Sequence, residues 1–322
     1  MKLMEDVGGL WMTNSESHSA ENQTISDVFF LDGFSHLNKL QILLFAVVLV
    51  TYLLTLFGNL LIILLIKLSP SLHTPMYFFL VNLSVLEICC TSSVTPQLLV
   101  HLLVEEKTIS LLGCAAQMYV FIITGLATCC LLGGMAYDRY VAICHPLHYT
   151  TIMSSRVCVL LAGGSWGIGI LVAMAQTTWL FSQPLCGSNR IHHYFCYTEP
   201  FQEMLCTDSW KNVIFGLSVL VLFVIGPFLL IVLSYIRIIS TILKLPSVEG
   251  RRKAFSTCSS HLMVVTLLYG AALLSDLKLK QPKMDVTKEC MFGYIPPPDT
   301  THHVPGYKMA VVPAPFAHLG GI

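Results

Sequence analysis

The chain has 322 residues, of which 55% are hydrophobic and only 11% charged; its formal net charge is zero and its mean hydropathy is +0.72. A soluble protein carries about 25% charged residues, so there is too little polar surface here to cover a water-soluble body. Length alone would fit two soluble domains, but the apolar content points to a single multi-span membrane bundle. The neutral charge balance gives no sign of a nucleic-acid or acidic partner.

Residues 1–40 are acidic, with Glu5, Asp6, Glu16, Glu21, Asp27 and Asp32. Lys2 is followed by neither an early apolar core nor a small-residue cleavage site, so no cleavable signal peptide is expected. Asn22-Gln23-Thr24 is a glycosylation sequon; in a tail just before a membrane span it reads as an exposed site at Asn22.

A spanning helix needs about 20 mostly apolar residues. Six segments qualify: 41–66, 76–99, 111–136, 157–177, 213–239 and the less apolar 255–274. Backbone groups in lipid must be satisfied internally, and these runs are too long and continuous for an alternating barrel pattern, so helices are expected. Lys67, Arg139, Arg156, Arg237, Lys244, Arg251, Arg252 and Lys253 fall between spans on one side, whereas Glu105, Glu106, Glu199, Glu203 and Asp208 fall on the other. Basic residues favour cytoplasmic loops, which puts the N-terminus and the sequon outside.

Cys89, Cys90, Cys129, Cys130 and Cys144 lie in or beside apolar spans and read as small buried hydrophobes. Cys114, Cys186, Cys196 and Cys206 lie at a span end or in a polar loop on the oxidising side, where disulfides are expected; four cysteines allow about three connectivities.

After Leu274 the sequence turns polar, and seven of the 15 prolines fall between Pro282 and Pro315. Proline breaks helices, so no seventh span is expected. A six-span chain leaves this tail outside with Lys278, Lys280, Lys283 and Lys288, against the basic-inside tendency. The expected organisation is an extracellular tail (1–40), a helix bundle (41–276) and a Pro-rich tail without folded structure (277–322).

Nothing points to catalysis: there is no Gly-rich phosphate loop, no H-E-x-x-H and no nucleophile elbow. His192, His193 and Cys196 match no standard zinc spacing, so neither metal nor cofactor is expected. No inverted repeat or pair of broken helices suggests a transporter.

Several motifs occur in order on these spans: Gly58-Asn59, "HTPMYFFLVNLS" at 73–84, "MAYDRYVAICHPLHY" at 135–149, "SYIRII" at 234–239, "KAFSTCSSHL" at 253–262, and the loop "CGSNRIHHYFCYTEPFQEMLC" at 186–206. With them the chain resembles the olfactory (odorant) receptors of the rhodopsin-like G-protein-coupled class over roughly residues 27–274. Two departures stand out. Glu87 occupies a place where the family usually has Asp, and the seventh helix with its "NPLIY" pattern is missing.

The resemblance implies an all-α membrane protein with a receptor-type helix bundle, six spans of which are recognisable. It implies a receptor in the plasma membrane that senses small volatile hydrophobes and activates a stimulatory, olfactory-type G protein, raising cyclic AMP. Asp138, Arg139 and Tyr140, with Arg251, Arg252 and Lys253, would couple to the G protein; the plain reading of Arg139 is a snorkelling side chain with a neighbouring counter-ion. Cys114 would pair with Cys196, and Cys186 with Cys206. Phe121, Ile122, Gly125 and Leu126 would face the odorant, with Tyr269 as the floor, although each also reads as ordinary helix packing. Asn59 and Glu87 are polar groups placed mid-membrane, where a polar partner is needed. Without the family's helix-seven Asn, Glu87 is left to be protonated or to recruit water. The missing helix also motivates an alternative: an aberrant, non-signalling receptor variant retained in the endoplasmic reticulum.

Overall fold

The computed structural model describes residues 28–31, 40–186, 189–191, 193–206, 210–244 and 246–279. Asn22, His192 and the tail beyond 279 lie outside the described residues, as do the side chains of Lys253, Thr257 and residues 272–279.

Six helices among the described residues are long and apolar enough to cross a membrane. They are α1 (Gln41–Leu68), α2 (Pro75–His101), α3 (Leu111–Cys144), α5 (Ser155–Phe181), a composite of α7 (Trp210–Leu220) and α8 (Gly226–Leu243), and α9 (Val248–Leu279). Short helices α4 (Tyr149–Ile152) and α6 (Thr198–Gln202) lie in connections. Large apolar side chains such as Phe57, Leu64, Leu160, Leu171, Leu222 and Leu233 are exposed on the spans. A contiguous apolar surface of that kind fits contact with lipid tails.

Each helix runs past its apolar segment. The third continues from residue 136 to Cys144 and so carries Asp138, Arg139 and Tyr140 on helix. It stops just before His145-Pro146, because proline disfavours helical backbone in the preceding residue. Its start is fixed by Ser110, whose Oγ accepts from the Gly113 N–H at 3.0 Å. The sixth helix begins seven residues before the apolar segment and ends at Leu279, so the bundle's expected boundary at 276 falls inside it. The fifth span contains a π-helical stretch, Val221–Ile225, just ahead of Gly226-Pro227. Pro227 has no N–H to offer, and a wider turn accommodates the lost bond.

Part of the expected N-terminal tail is strand. β1 (Val28–Leu31) is the centre of a three-stranded sheet with β2 (Thr108–Ser110) antiparallel and β3 (Arg190–Ile191) parallel. Its VFFL sequence alternates: Phe29 and Leu31 are buried, Val28 and Phe30 exposed.

α3 is the hub, packed against α2, α5, α8 and α9. One core cluster joins these helices through Phe79, Leu86, Leu131, Met135, Ile231 and Val265. A second lies under the sheet and holds Phe29, Leu31, Ile109, Met118, Ile191 and Phe201. Between α3 and α5 the backbones come close: a Cβ on Gly169 would meet the Ile123 carbonyl oxygen at 2.7 Å. Small residues permit such approach where apolar lipid offers no hydrophobic drive for helix association.

Candidate functional site

Two regions at opposite ends of α3 gather most of the residues singled out from the sequence. The first lies at its C-terminal end. Asp138 is fully buried, and both carboxylate oxygens are used. Arg139 donates to Oδ2 from Nη2 at 2.6 Å and from Nε at 3.1 Å. The Tyr149 hydroxyl donates to Oδ1 at 2.7 Å. Arg139 is 13% exposed, so a guanidinium at the rim is tethered to a carboxylate inside. Burial, then the bond to Asp138, push the Tyr149 hydroxyl well above the ordinary tyrosine range, keeping its proton in place to donate.

Tyr149 ends the MAYDRYVAICHPLHY signature, and its sequence position alone gives it no partner. The 3-10 turn Pro146–His148 and the single turn of α4 swing it back beneath Asp138. Tyr140 does not join the carboxylate; it stacks on Tyr137 and pairs its hydroxyl with His145 Nε2 at 3.2 Å.

Beside this group, α8 and α9 are joined by the Tyr235 hydroxyl and His261 Nδ1 at 2.8 Å, both residues buried. Tyr235 belongs to the SYIRII motif and His261 to KAFSTCSSHL, and nothing along the sequence pairs them. Arg251 is half-buried and Arg252 exposed near the start of α9.

The second region is the disulfide end. Cys114 is bonded to Cys196 and Cys186 to Cys206, with Cα atoms 5.3 and 4.7 Å apart. Directly below, Gln117 is buried and fully employed. Its Nε2 donates to the Ser93 carbonyl at 3.0 Å and to Gln97 Oε1 at 3.1 Å, and its Oε1 accepts from the Cys196 N–H at 2.8 Å. One amide thus ties α2, α3 and the loop together. A lone Gln three residues after Cys114 in an apolar run was the only sequence signal for it.

The loop above is aromatic. Phe121 meets Phe195 at 5.2 Å, and His193 lies 4.7 Å from both Phe195 and Tyr197. Burial lowers the His193 pKa to about 4, a backbone hydrogen bond with Phe195 opposing it. No cluster of three metal-ligating side chains occurs among the described residues.

The five expected odorant-facing residues have different surroundings. Ile122 packs on the cluster under the sheet. Leu126 is buried, whereas Gly125 is exposed with open space where a Cβ would lie. Tyr269 is half-buried against the helix core, 4.8 Å from Phe228. A cavity of about 490 Å³ between α2, β2 and α3 is lined by other residues, among them Gln97 and Gln117.

The two mid-membrane polar groups are handled separately. Asn59 is buried and donates to the Thr55 carbonyl one turn back on its own helix at 2.9 Å. Glu87 is half-buried on α2, and its backbone carbonyl accepts from Thr91 Oγ1 at 2.8 Å.

A family model described as olfactory receptor matches residues 48–284. Olfactory receptor 10A3 of Homo sapiens is 50% identical over 269 residues, 84% of this chain and 86% of that receptor. Olfactory receptor 10A4 of Homo sapiens is 52% identical over 272 residues, covering 84% and 86%. Olfactory receptor 10C1 of Homo sapiens is 47% identical over 279 residues, covering 86% and 89%. The matches take in the buried carboxylate end of α3, the disulfide end and the helices between them, and on that extent the chain belongs to the olfactory receptor family.

Proposed function

We propose that this chain is an odorant-sensing, G-protein-coupled receptor of the plasma membrane. Its disulfide end faces outside and its Asp138 end faces the cytoplasm. It binds small hydrophobic volatiles and activates a stimulatory, olfactory-type heterotrimeric G protein that raises cyclic AMP.

The observation that carries this reading is the double hold on Asp138. A buried carboxylate with both oxygens bonded keeps Arg139 folded against the bundle. A ligand that separates α9 from α3 would free the guanidinium, still on its helix end, to meet the G protein. Arg251 and Arg252 add positive charge near the start of α9, suited to the G protein or to anionic lipid, and Lys253 next to them in sequence is a further candidate for the same contact. Phe121, Ile122, Gly125, Leu126 and Tyr269 remain the candidates for odorant contact. The open space at Gly125 and the partly buried aromatics at Phe121 and Tyr269 suit a small apolar guest.

The test is a cyclic AMP reporter in cells expressing the full chain, read against an odorant panel, with surface staining of an N-terminal tag. An odorant response is expected at the surface and is expected to disappear in Arg139→Ala. A response of undiminished size in that variant sinks the role of Arg139. A chain confined to the endoplasmic reticulum sinks the plasma-membrane assignment.

A further inference from the structure

None of the five candidate odorant residues lines the cavity between α2, β2 and α3. Its polar lining includes Gln97, Thr108, Ser110 and Gln117, and its apolar lining includes Ala116 and Val120. No charged side chain lines it. At about 490 Å³ it falls within the roughly 300–1,000 Å³ that small-molecule sites occupy.

The hydrogen bonds of Gln117 determine what this space offers. Both hydrogen-bond contacts of its Nε2 go to α2, and its Oε1 is taken by the Cys196 N–H. Gln97 accepts from it through Oε1, so the Gln97 amide nitrogen is left to donate. The cleft therefore presents a neutral donor beside apolar walls. Ser110 and Ala116 at its rim are exposed, and the adjoining helix ends expose Val100, Leu103 and Leu112. Apart from Ser110, these exposed side chains are apolar and suit contact with lipid tails.

We propose that this cleft is a second ligand site, taking a neutral aliphatic amphiphile with one hydroxyl or carbonyl oxygen that arrives through the bilayer between α2 and α3. The oxygen accepts from the Gln97 amide and the chain lies along Ala116 and Val120. Because Gln97 is bonded to Gln117, and Gln117 holds the Cys196 backbone, an occupant bears on the loop that covers this end of the bundle.

The experiment uses the full chain in phospholipid nanodiscs and a photoreactive octan-1-ol bearing a diazirine at the end of its chain. Adducts are mapped residue by residue by mass spectrometry, so the outcome is independent of signalling and of the odorant reading. Saturable labelling within 93–120 is expected, displaced by excess octan-1-ol but not by n-octane. Ala116→Phe, which fills the mouth, is expected to weaken it about tenfold, the equivalent of about 1.4 kcal/mol of binding. Val213→Phe, at an exposed position on another span, is expected to leave it unchanged. The proposal is overturned by labelling spread evenly over the lipid-facing helices, by labelling confined to the Phe121–Leu126 region and α9, or by equal competition from n-octane. The octane arm tests the oxygen in the unaltered chain, so a poorly folding variant does not remove the test.

Discussion

The Tyr149 hydroxyl and the Asp138 carboxylate are 2.7 Å apart, and this bond closes the second oxygen of a buried acid whose first is held by Arg139. Hydrogen bonds to charged groups contribute about 1.5–3 kcal/mol. Tyr149→Phe leaves the ring in place and removes the bond, loosening the hold on Asp138. In a cyclic AMP assay the variant is expected to show ligand-independent signalling raised by roughly tenfold, since about 1.4 kcal/mol shifts an equilibrium tenfold. Basal signalling equal to the parent chain would show that Tyr149 does not restrain Arg139.

Helix contact between α3 and α5 offers a sharp pair of substitutions. Gly169→Ala drives a methyl to 2.7 Å from the Ile123 carbonyl, a backbone atom that cannot move aside alone. Overpacking of this kind costs about 1–3 kcal/mol. Gly164→Ala, with nothing within 4 Å, is expected to be neutral or to stabilise by up to about 1 kcal/mol through helix propensity. Thermal unfolding in detergent should rank Gly169→Ala below the parent and Gly164→Ala at or above it.

The strand at the N-terminal side makes a second paired prediction. Phe29 is fully buried and meets Phe201 edge-on at 6.0 Å; Phe30, next to it, is 44% exposed. Phe29→Ala should cost about 3–5 kcal/mol locally, enough to release the sheet. Hydrogen exchange at 108–110 and 190–191 is expected to quicken strongly in Phe29→Ala and little in Phe30→Ala. Equal protection in both variants would remove the strand from the structural account of this end.

His193 sets a pH dependence. Burial lowers its pKa to about 4, whereas an exposed imidazole titrates at about 6.5. Between those values the unfolded loop takes up a proton that the folded loop refuses. Stability of the loop is therefore unaffected above about pH 6.5, falls as the pH drops toward about 4, and levels off below that. The full difference is on the order of 3 kcal/mol. His193→Phe should flatten this profile when hydrogen exchange at 193–197 is followed against pH. A profile as steep as that of the parent would assign the effect to another group.

Much of this was legible along the chain. The spans follow from apolar run length, which is a local quantity, and the motifs around Asp138, Arg139 and the loop cysteines carried the resemblance. The helix ends were not legible, because Asp138, Arg139 and Tyr140 are polar yet continue α3 to the proline that stops it. The sheet was hidden for a related reason: VFFL is too short to stand out, and its partners lie in two distant loops. The odorant candidates on α3 come from the family resemblance, which does not fix the surroundings of each residue in this chain. In the structure Gly125 is open and Leu126 is packed.

Length, hydropathy and charge placement along the sequence thus determined that this is a multi-span helical chain, and its motifs determined the family it resembles. Only the tertiary structure decided which polar groups meet. Gln117 reaches Cys196 across 79 positions of sequence, and Tyr235 reaches His261 across 26. Periodicity records which side of one helix is apolar; it carries no term for the neighbour on the next. A buried donor without a partner costs about 1–3 kcal/mol, so such pairings are set by the packing of whole helices, and that packing placed Tyr149 under Asp138 and left the cleft beside Gln97 open.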